Sequence, residues 1–384
     1  MLRKLAAVIV ILFIGSATWV QAETPVKVGL SLGLTGRYQE MGQMQQMEFR
    51  LWGAQVNQRG GLLGRPLQLI IYDDHSDRDT AVRLYSKLIN EDHVDFVFGP
   101  YSSGLTEAIL PITAKLGYPV LASGASSDKL WEQGYTHLFG IYITASRYTV
   151  GFLEMAAMNG LTKVAIASAD DPFSAYIAKG AGEWAHNFGL QVVIYRQFAK
   201  GSADFSNFVQ QAQHEGAEMV VMCGHYDEAV NMRLALKKSA WMPKAFYASV
   251  GPALPRYYQE LQGDAELVFS SSQWEPRVVY QPNDKAVFLE PFLKQYGVLP
   301  SYQAATAFAA GQILELAIQR AGSMDRRKVR DVLAKMDAVS IIGRYAVDGT
   351  GRQVKHFPIT TQWQHGKNEI VWPKDLATAT PMFR

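Results

Sequence analysis

The sequence predicts an α/β chain of two doubly wound lobes, each a parallel sheet covered by helices on both faces. Three observations predict it. Short apolar runs alternate with segments of helical period, a pattern that gives parallel sheets with crossover helices on their faces. The alternation runs twice, restarting near Thr144. Several apolar runs stop at turns rich in Ser, Gly and Asp, the kind of turn that sits at the carboxyl ends of parallel strands, where open α/β sheets bind ligands. A chain of 384 residues is long enough to bury two cores.

In the first series, Lys27 to Leu34 reads as a strand ending at Thr35-Gly36. Apolar residues at Met44, Met47, Leu51 and Ala54, with Trp52 beside them, give a helix over 43–57 with one buried face. Gly60 to Pro66 breaks it. Leu67 to Tyr72 is a second strand, capped by Asp73-Asp74, and Thr80 to Glu91 a second helix. The stretch from Asp95 to Ser127 is the most informative. An apolar run (Phe96, Val97, Phe98) stops at Gly99-Pro100, and a small polar turn, Tyr101-Ser102-Ser103-Gly104, opens a helical pattern from Leu105 to Leu116. A second run, Val120 to Ala122, stops at Ser123-Gly124-Ala125-Ser126-Ser127. Two Ser-rich turns therefore end neighbouring strands. Free amides at a helix N-terminus, flanked by hydroxyls, favour an anion, so this stretch reads as half of a small-molecule site. His137 to Ile143 is a fifth short strand.

In the second series, strands are expected at Lys163–Ser168, Gln191–Phe198, Glu218–Cys223 and Lys244–Ala248, with helices over 176–188, 205–214 and 228–239 between them. Leu267 to Ser272 leads back. Helices over 288–296, 304–321 and 327–336 follow, and the chain ends in a strand-like, turn-rich segment from Tyr345 to Val371. Helices beyond the second series suggest that the chain returns to complete the first lobe.

Residues 1–22 differ from the rest. A basic start, Met1-Leu2-Arg3-Lys4, precedes a nearly apolar run to Val20, and Val20-Gln21-Ala22 offers small residues for cleavage. This predicts a secretory signal peptide cleaved after Ala22 and a mature protein in the periplasm. A formal net charge of +2 and the lack of a Lys/Arg block argue against a nucleic-acid partner. The single cysteine, Cys223, lies in an apolar run and reads as a small buried hydrophobe. The eight histidines show no metal-ligand pair at helical spacing, and neither a nucleophile elbow nor a zincin motif is present. No catalytic residue, metal or cofactor is therefore expected, although a hydrolase built on Ser103 with His225 as its base stays open at this level.

The pattern resembles the type I periplasmic binding proteins, and within them the branched-chain amino-acid (leucine/isoleucine/valine) receptors of ABC importers. The carriers are KVGLSLGLTGRYQEMG at 27–42, GGLLGRPLQLIIYDDHSD at 60–77 and FVFGPYSSGLTEAILPITAKLGYPVLASGAS at 96–126. QGYTHLFG at 133–140, DFSNFVQQAQHEGAEMVVMCGHYDEA at 204–229 and IIGRYAVDGTGR at 341–352 complete them. The resemblance covers essentially the whole mature chain. It implies two Rossmann-like lobes joined by a three-crossover hinge, with ligand trapped between them on closure. The crossovers fall near Ile143, Gln273 and Gly343, dividing the chain into lobe I (23–143 with 273–343) and lobe II (144–272 with 344–384). It further implies a monomeric receptor that hands a small carboxylate-bearing solute, an amino acid or a related organic acid, to a permease complex in the inner membrane. A receptor that senses an amide, urea or organic acid for a signalling partner is the alternative.

The resemblance assigns the ligand carboxylate to Ser103 and Ser126, with Ser102, Gly124 and Ala125 beside them offering polar or backbone groups. Short hydroxyl donors let an anion approach, and glycine removes side-chain obstruction; serines are also ordinary turn residues. Two family tyrosines correspond to Phe173 and His225. The family acid that accepts the ligand ammonium corresponds to Val250. Either another acid (Asp170, Asp171, Asp227 or Glu228) replaces it, or the ligand lacks an ammonium, because a buried ammonium without a carboxylate is costly. Tyr101, Trp131 and Trp274 are the other aromatic residues that could wall the cleft, although a tryptophan at the position of Trp131 is more often a packing residue.

Overall fold

The computed structural model describes residues 24–384, so the expected signal peptide lies outside the described residues. The first lobe is built on β1 (Val26–Leu32), α1 (Gln39–Gln58), β2 (Leu67–Asp73), α2 (Arg78–Asn90), β3 (Phe96–Phe98), α3 (Ser103–Lys115), β4 (Val120–Ala122) and β5 (Leu138–Gly140). Its strands form a parallel sheet in the order β2-β1-β3-β4-β5. The strand order reverses between β1 and β3, and the crevice at such a reversal is the usual ligand position of an open α/β sheet.

The second lobe follows as α4 (Val150–Met158), β6 (Lys163–Ala169), α5 (Pro172–Asn187), β7 (Gln191–Phe198), α6 (Ser206–His214), β8 (Met219–Cys223), α7 (Tyr226–Lys238), β9 (Ala245–Ala248), α8 (Pro255–Leu261) and β10 (Val268–Ser272). After it come α9 (Glu290–Tyr296), α10 (Tyr302–Ala321), α11 (Arg326–Leu333), β11 (Ala338–Ser340), β12 (Gly343–Tyr345), β13 (Ile359–Gln364) and β14 (Lys367–Trp372). The second sheet runs β14-β13-β10-β9-β8-β6-β7, antiparallel at β10–β13 and β13–β14 and parallel elsewhere. It reverses between β6 and β8, so each lobe turns one switch crevice toward the other.

Helices α9 to α11 return to the first lobe. There α10 lies against α1, where Trp52 is fully buried and donates Nε1–H to Glu315 at 2.7 Å. Phe49 stacks on Phe98 at 4.7 Å and Trp52 meets Phe98 edge-on; burying each such ring contributes about 1.5–3 kcal/mol. Cys223 is buried in the second lobe, where burial pushes its thiol up.

The lobes join at three crossovers. The first follows β5 and the second follows β10. The Gln273 side chain ties them, with Ile143 N–H donating to its Oε1 at 3.0 Å. The third crossover lies beyond the expected Gly343. β12 pairs with β11, Tyr345 is buried in the first-lobe core, and Gly140 N–H donates to Gly351 O at 2.9 Å. Residues 344–353 thus stay on the first lobe, and the chain crosses between Val354 and Pro358. Two helices, α4 and α8, also stand where no helix is predicted: α4 is apolar on almost every side and shows no period, and α8 is only seven residues long.

Candidate functional site

The ends of β3 and β4 form one wall. Ser103 Oγ accepts hydrogen bonds from the backbone N–H groups of Ser126 (3.1 Å) and Ser127 (3.0 Å), so this one hydroxyl staples the two Ser-rich turns together. Ser102 N–H donates to Gly124 O at 3.0 Å, and Ser102 Oγ caps α3 by accepting from Leu105 N–H. Ser102 holds a φ of 101°, a costly conformation for a residue with a Cβ, kept in place by these bonds. Gly124 is required by space: a Cβ there would lie 2.9 Å from the Tyr101 ring. A hydroxyl has two acceptor lone pairs and one proton. With both lone pairs of Ser103 occupied, its remaining capacity is donation.

The opposite wall comes from the switch crevice of the second lobe. Asp171 caps α5. Its Oδ1 accepts from Phe173 N–H (3.1 Å) and Ser174 N–H (3.2 Å), and its Oδ2 accepts from Ser174 Oγ–H at 2.6 Å. His225 Nε2 lies 3.4 Å from the same Oδ2. Burial alone would raise the Asp171 carboxyl. The His225 contact and the capping bonds outweigh it and hold the group well below the usual carboxylate range. His225 begins α7 and its N–H donates to Glu228 Oε2 at 3.0 Å. The described partners of the two residues differ: Ser103 Oγ meets the Ser126 and Ser127 amides, and His225 Nε2 faces Asp171.

Between the walls lies a small cavity of about 70 Å³. Eight of the ten expected ligand residues line it: Tyr101, Ser102, Ser103, Gly124, Ser126, Phe173, His225 and Val250. Ala125 does not; it is buried in the core behind the turn. Trp274, expected beside the ligand, does not line the cavity either. It packs edge-on against Phe288 in the first-lobe core at 5.2 Å and faces a separate interlobe cleft, because the second crossover turns it away from the serine turns.

The sequence reading did not single out Tyr38, Tyr142, Tyr148, Tyr302 and Lys200, which also line the cavity. The rings form an aromatic lining: Tyr38 meets Tyr101 at 5.5 Å, Tyr148 meets Phe173 at 5.4 Å, and Phe173 lies 5.3 Å from His225. Burial pushes the phenol of Tyr148 up to about 12 and raises those of Tyr101, Tyr142 and Tyr302, so all four are proton donors at neutral pH. Tyr148 also ties the site to the hinge, since Gln273 Nε2–H donates to its hydroxyl at 2.9 Å. A strand-to-helix position after β1 would have pointed to Tyr38. Nothing local marks the others.

The cavity is closed by bonds that cross between lobes. Arg37 pairs with Glu228 at 2.8 Å, Lys200 Nζ donates to Tyr38 Oη at 2.9 Å, Ser127 Oγ–H donates to Pro172 O at 3.0 Å, and Tyr176 Oη–H donates to Glu132. Among the described residues no helix is long and apolar enough to cross a membrane.

Comparison with known proteins agrees with this architecture. The chain is 24% identical over 358 residues to the leucine-, isoleucine-, valine-, threonine- and alanine-binding protein of Pseudomonas aeruginosa, covering 91% of this chain and 93% of that one. It superposes on a branched-chain amino acid transporter substrate-binding protein of Streptococcus pneumoniae in complex with isoleucine, with a TM-score of 0.80 at 22% identity over 91% of this chain and all of the other. An ABC-transporter solute-binding protein of R. palustris in complex with benzoate gives a TM-score of 0.77 at 17% identity, covering 91% of this chain and 96% of that one. The family model described as periplasmic binding protein matches residues 25–368, and with two lobes closing on a serine-stapled cavity the chain belongs to the periplasmic binding protein family.

Proposed function

We propose that this protein is an exported receptor of an ABC importer that traps a small aromatic or hydrophobic carboxylate lacking an α-ammonium group and delivers it to a membrane permease, without catalysing a reaction. The carboxylate end is assigned to the serine turns, where Ser103 has only a proton left to offer and the Ser126 hydroxyl stands beside it. The observation that carries the choice of ligand is the lack of a free carboxylate on the facing wall. Val250 occupies the position of the family acid. Asp171, the acid that does line the cavity, has both oxygens engaged by two backbone amides, Ser174 Oγ and His225. A ligand ammonium would have to share Asp171 with these groups, which weakens its pairing there. The ring-lined walls suit an aryl or branched alkyl body, and the benzoate complex of a protein with the same fold supports the reading.

Titration calorimetry on the mature protein tests it with two ligands that differ only in the ammonium, leucine and 4-methylpentanoate, together with benzoate and phenylacetate. The acids are expected to bind and leucine to bind more weakly. Tight leucine binding with no response to the acids overturns the proposal.

A further inference from the structure

We propose that the cavity also reads the end of the ligand remote from the serine turns, and that it selects acids carrying an oxygen acceptor there, held between the Lys200 ammonium and the Tyr38 hydroxyl. The inference rests on the carboxylate reading above and deepens it.

Position comes first. In the first sheet Ser103 and Ser126 follow β3 and β4, whereas Tyr38 follows β1. Tyr38 therefore stands about two strand spacings, roughly 10 Å, from the turn after β4. Lys200 follows β7, the edge strand of the second sheet, and reaches across the cleft to Tyr38. Both line the cavity.

Charge comes second. Lys200 Nζ has a neutral phenol as its hydrogen-bond partner and lies 5.4 Å from the centre of that ring; it forms no ion pair among the described residues. The acids around it are committed elsewhere. Asp170 Oδ1 accepts from Lys200 N–H at 2.8 Å, Asp171 is engaged as described, and Glu228 is held by Arg37, Gly201 N–H and His225 N–H. Among the described residues Lys200 is thus a cation at the cavity without a carboxylate partner.

Hydrogen-bond polarity comes third. The ammonium has three donors and spends one on Tyr38; the Tyr38 oxygen accepts that bond and keeps its own proton. Both groups therefore present donors, and the group that satisfies both is an acceptor oxygen. A phenol oxygen and a second carboxylate share that chemistry. An oxygen bound there also ties Tyr38 of the first lobe to Lys200 of the second, so it favours closure.

The test is calorimetry of the mature protein with benzoate, 4-hydroxybenzoate and terephthalate, on the native chain, Lys200→Met and Tyr38→Phe, read as the ratio of each oxygen-bearing acid to benzoate. The native chain is expected to bind at least one of the two para-oxygen acids about tenfold or more tighter than benzoate, the size of a charge-assisted hydrogen bond. Lys200→Met should bring that ratio close to one, and Tyr38→Phe should lower it. A gain confined to terephthalate identifies the acceptor as carboxylate, and a gain confined to 4-hydroxybenzoate identifies it as phenol. Equal affinity for the three acids overturns the inference and leaves the carboxylate reading standing. A gain that persists in Lys200→Met also overturns it. No binding of any acid overturns both. Lys200 lies on an exposed turn, so its variant keeps the core intact, and Tyr38→Phe supplies an independent ratio.

Discussion

Arg37 of the first lobe and Glu228 of the second meet across the cleft, Nη2 to Oε1 at 2.8 Å, and the Glu228 carboxylate that receives the guanidinium also accepts from the backbone of His225, a residue of the cavity wall. One carboxylate thus holds both an interlobe bridge and the backbone of the cavity wall. Arg37→Ala is expected to leave the fold intact and to weaken ligand binding by about 1–2 kcal/mol, or about 5- to 30-fold. That is below the full value of a charged hydrogen bond because the Arg37 side chain is 30% exposed. Calorimetry reads the affinity, and small-angle scattering should show a more open unliganded population.

Ser103 and Ser126 should separate in a stability assay. Ser103→Ala strands two buried amides, those of Ser126 and Ser127, and is expected to cost about 1–3 kcal/mol of folding stability as well as carboxylate affinity. Ser126 Oγ has only a long contact of 3.5 Å, to Tyr148. Ser126→Ala should therefore weaken ligand while barely moving the melting temperature. Equal melting shifts for the two variants would refute the staple.

Val250→Glu places a carboxylate at the position that the family resemblance matches to the ammonium-binding acid. Val250 is buried against the cavity. The new acid should repel ligands without an ammonium and pair with those that have one. Calorimetry is expected to show 4-methylpentanoate weakened about tenfold or more and leucine gained. Unchanged preference would mean that the ammonium is not read at this position.

Glu275 sits on the second crossover. Burial pushes its carboxyl up to about 7, against the opposing pull of Ser272 and Arg277. A folded value above the unfolded one, about 4.3, means the folded state favours the protonated form. The stability this supplies is complete below about pH 4 and is lost as pH rises to about 7. Glu275→Gln removes the titration. Its melting temperature is expected to exceed that of the native chain above pH 7, and the difference should shrink steadily toward pH 4.

Gly311 on α10 lies against the indole of Trp52, where an added Cβ would stand 2.5 Å from ring atoms. Gly311→Ala improves helix propensity yet is expected to destabilise by about 1–3 kcal/mol, because a fully buried ring anchored to Glu315 cannot move aside cheaply. Urea denaturation measures it.

The sequence by itself determined the two α/β series, most strand and helix positions, and the serine turns after β3 and β4. Each of these is local: alternation of apolar runs, helical period, and glycine with short hydroxyls at a strand end. It also placed Phe173, His225 and Val250 on the facing wall, through their order along a recognisable pattern. Tertiary structure alone decided the rest. A sequence shows that residues 343–345 form a strand, but not that they pair with β11 and keep the chain on the first lobe for another ten residues. Trp274 beside a crossover turns into the core, while Tyr142, Tyr148 and Tyr302, which read as ordinary core residues, converge on the cavity from two distant segments. Lys200, on an unremarkable turn, meets Tyr38 162 positions away only because the lobes close. Local periodicity sets which face of an element is buried; which distant side chains share a cavity depends on how sheets, crossovers and lobes pack, and no short stretch of chain carries that information.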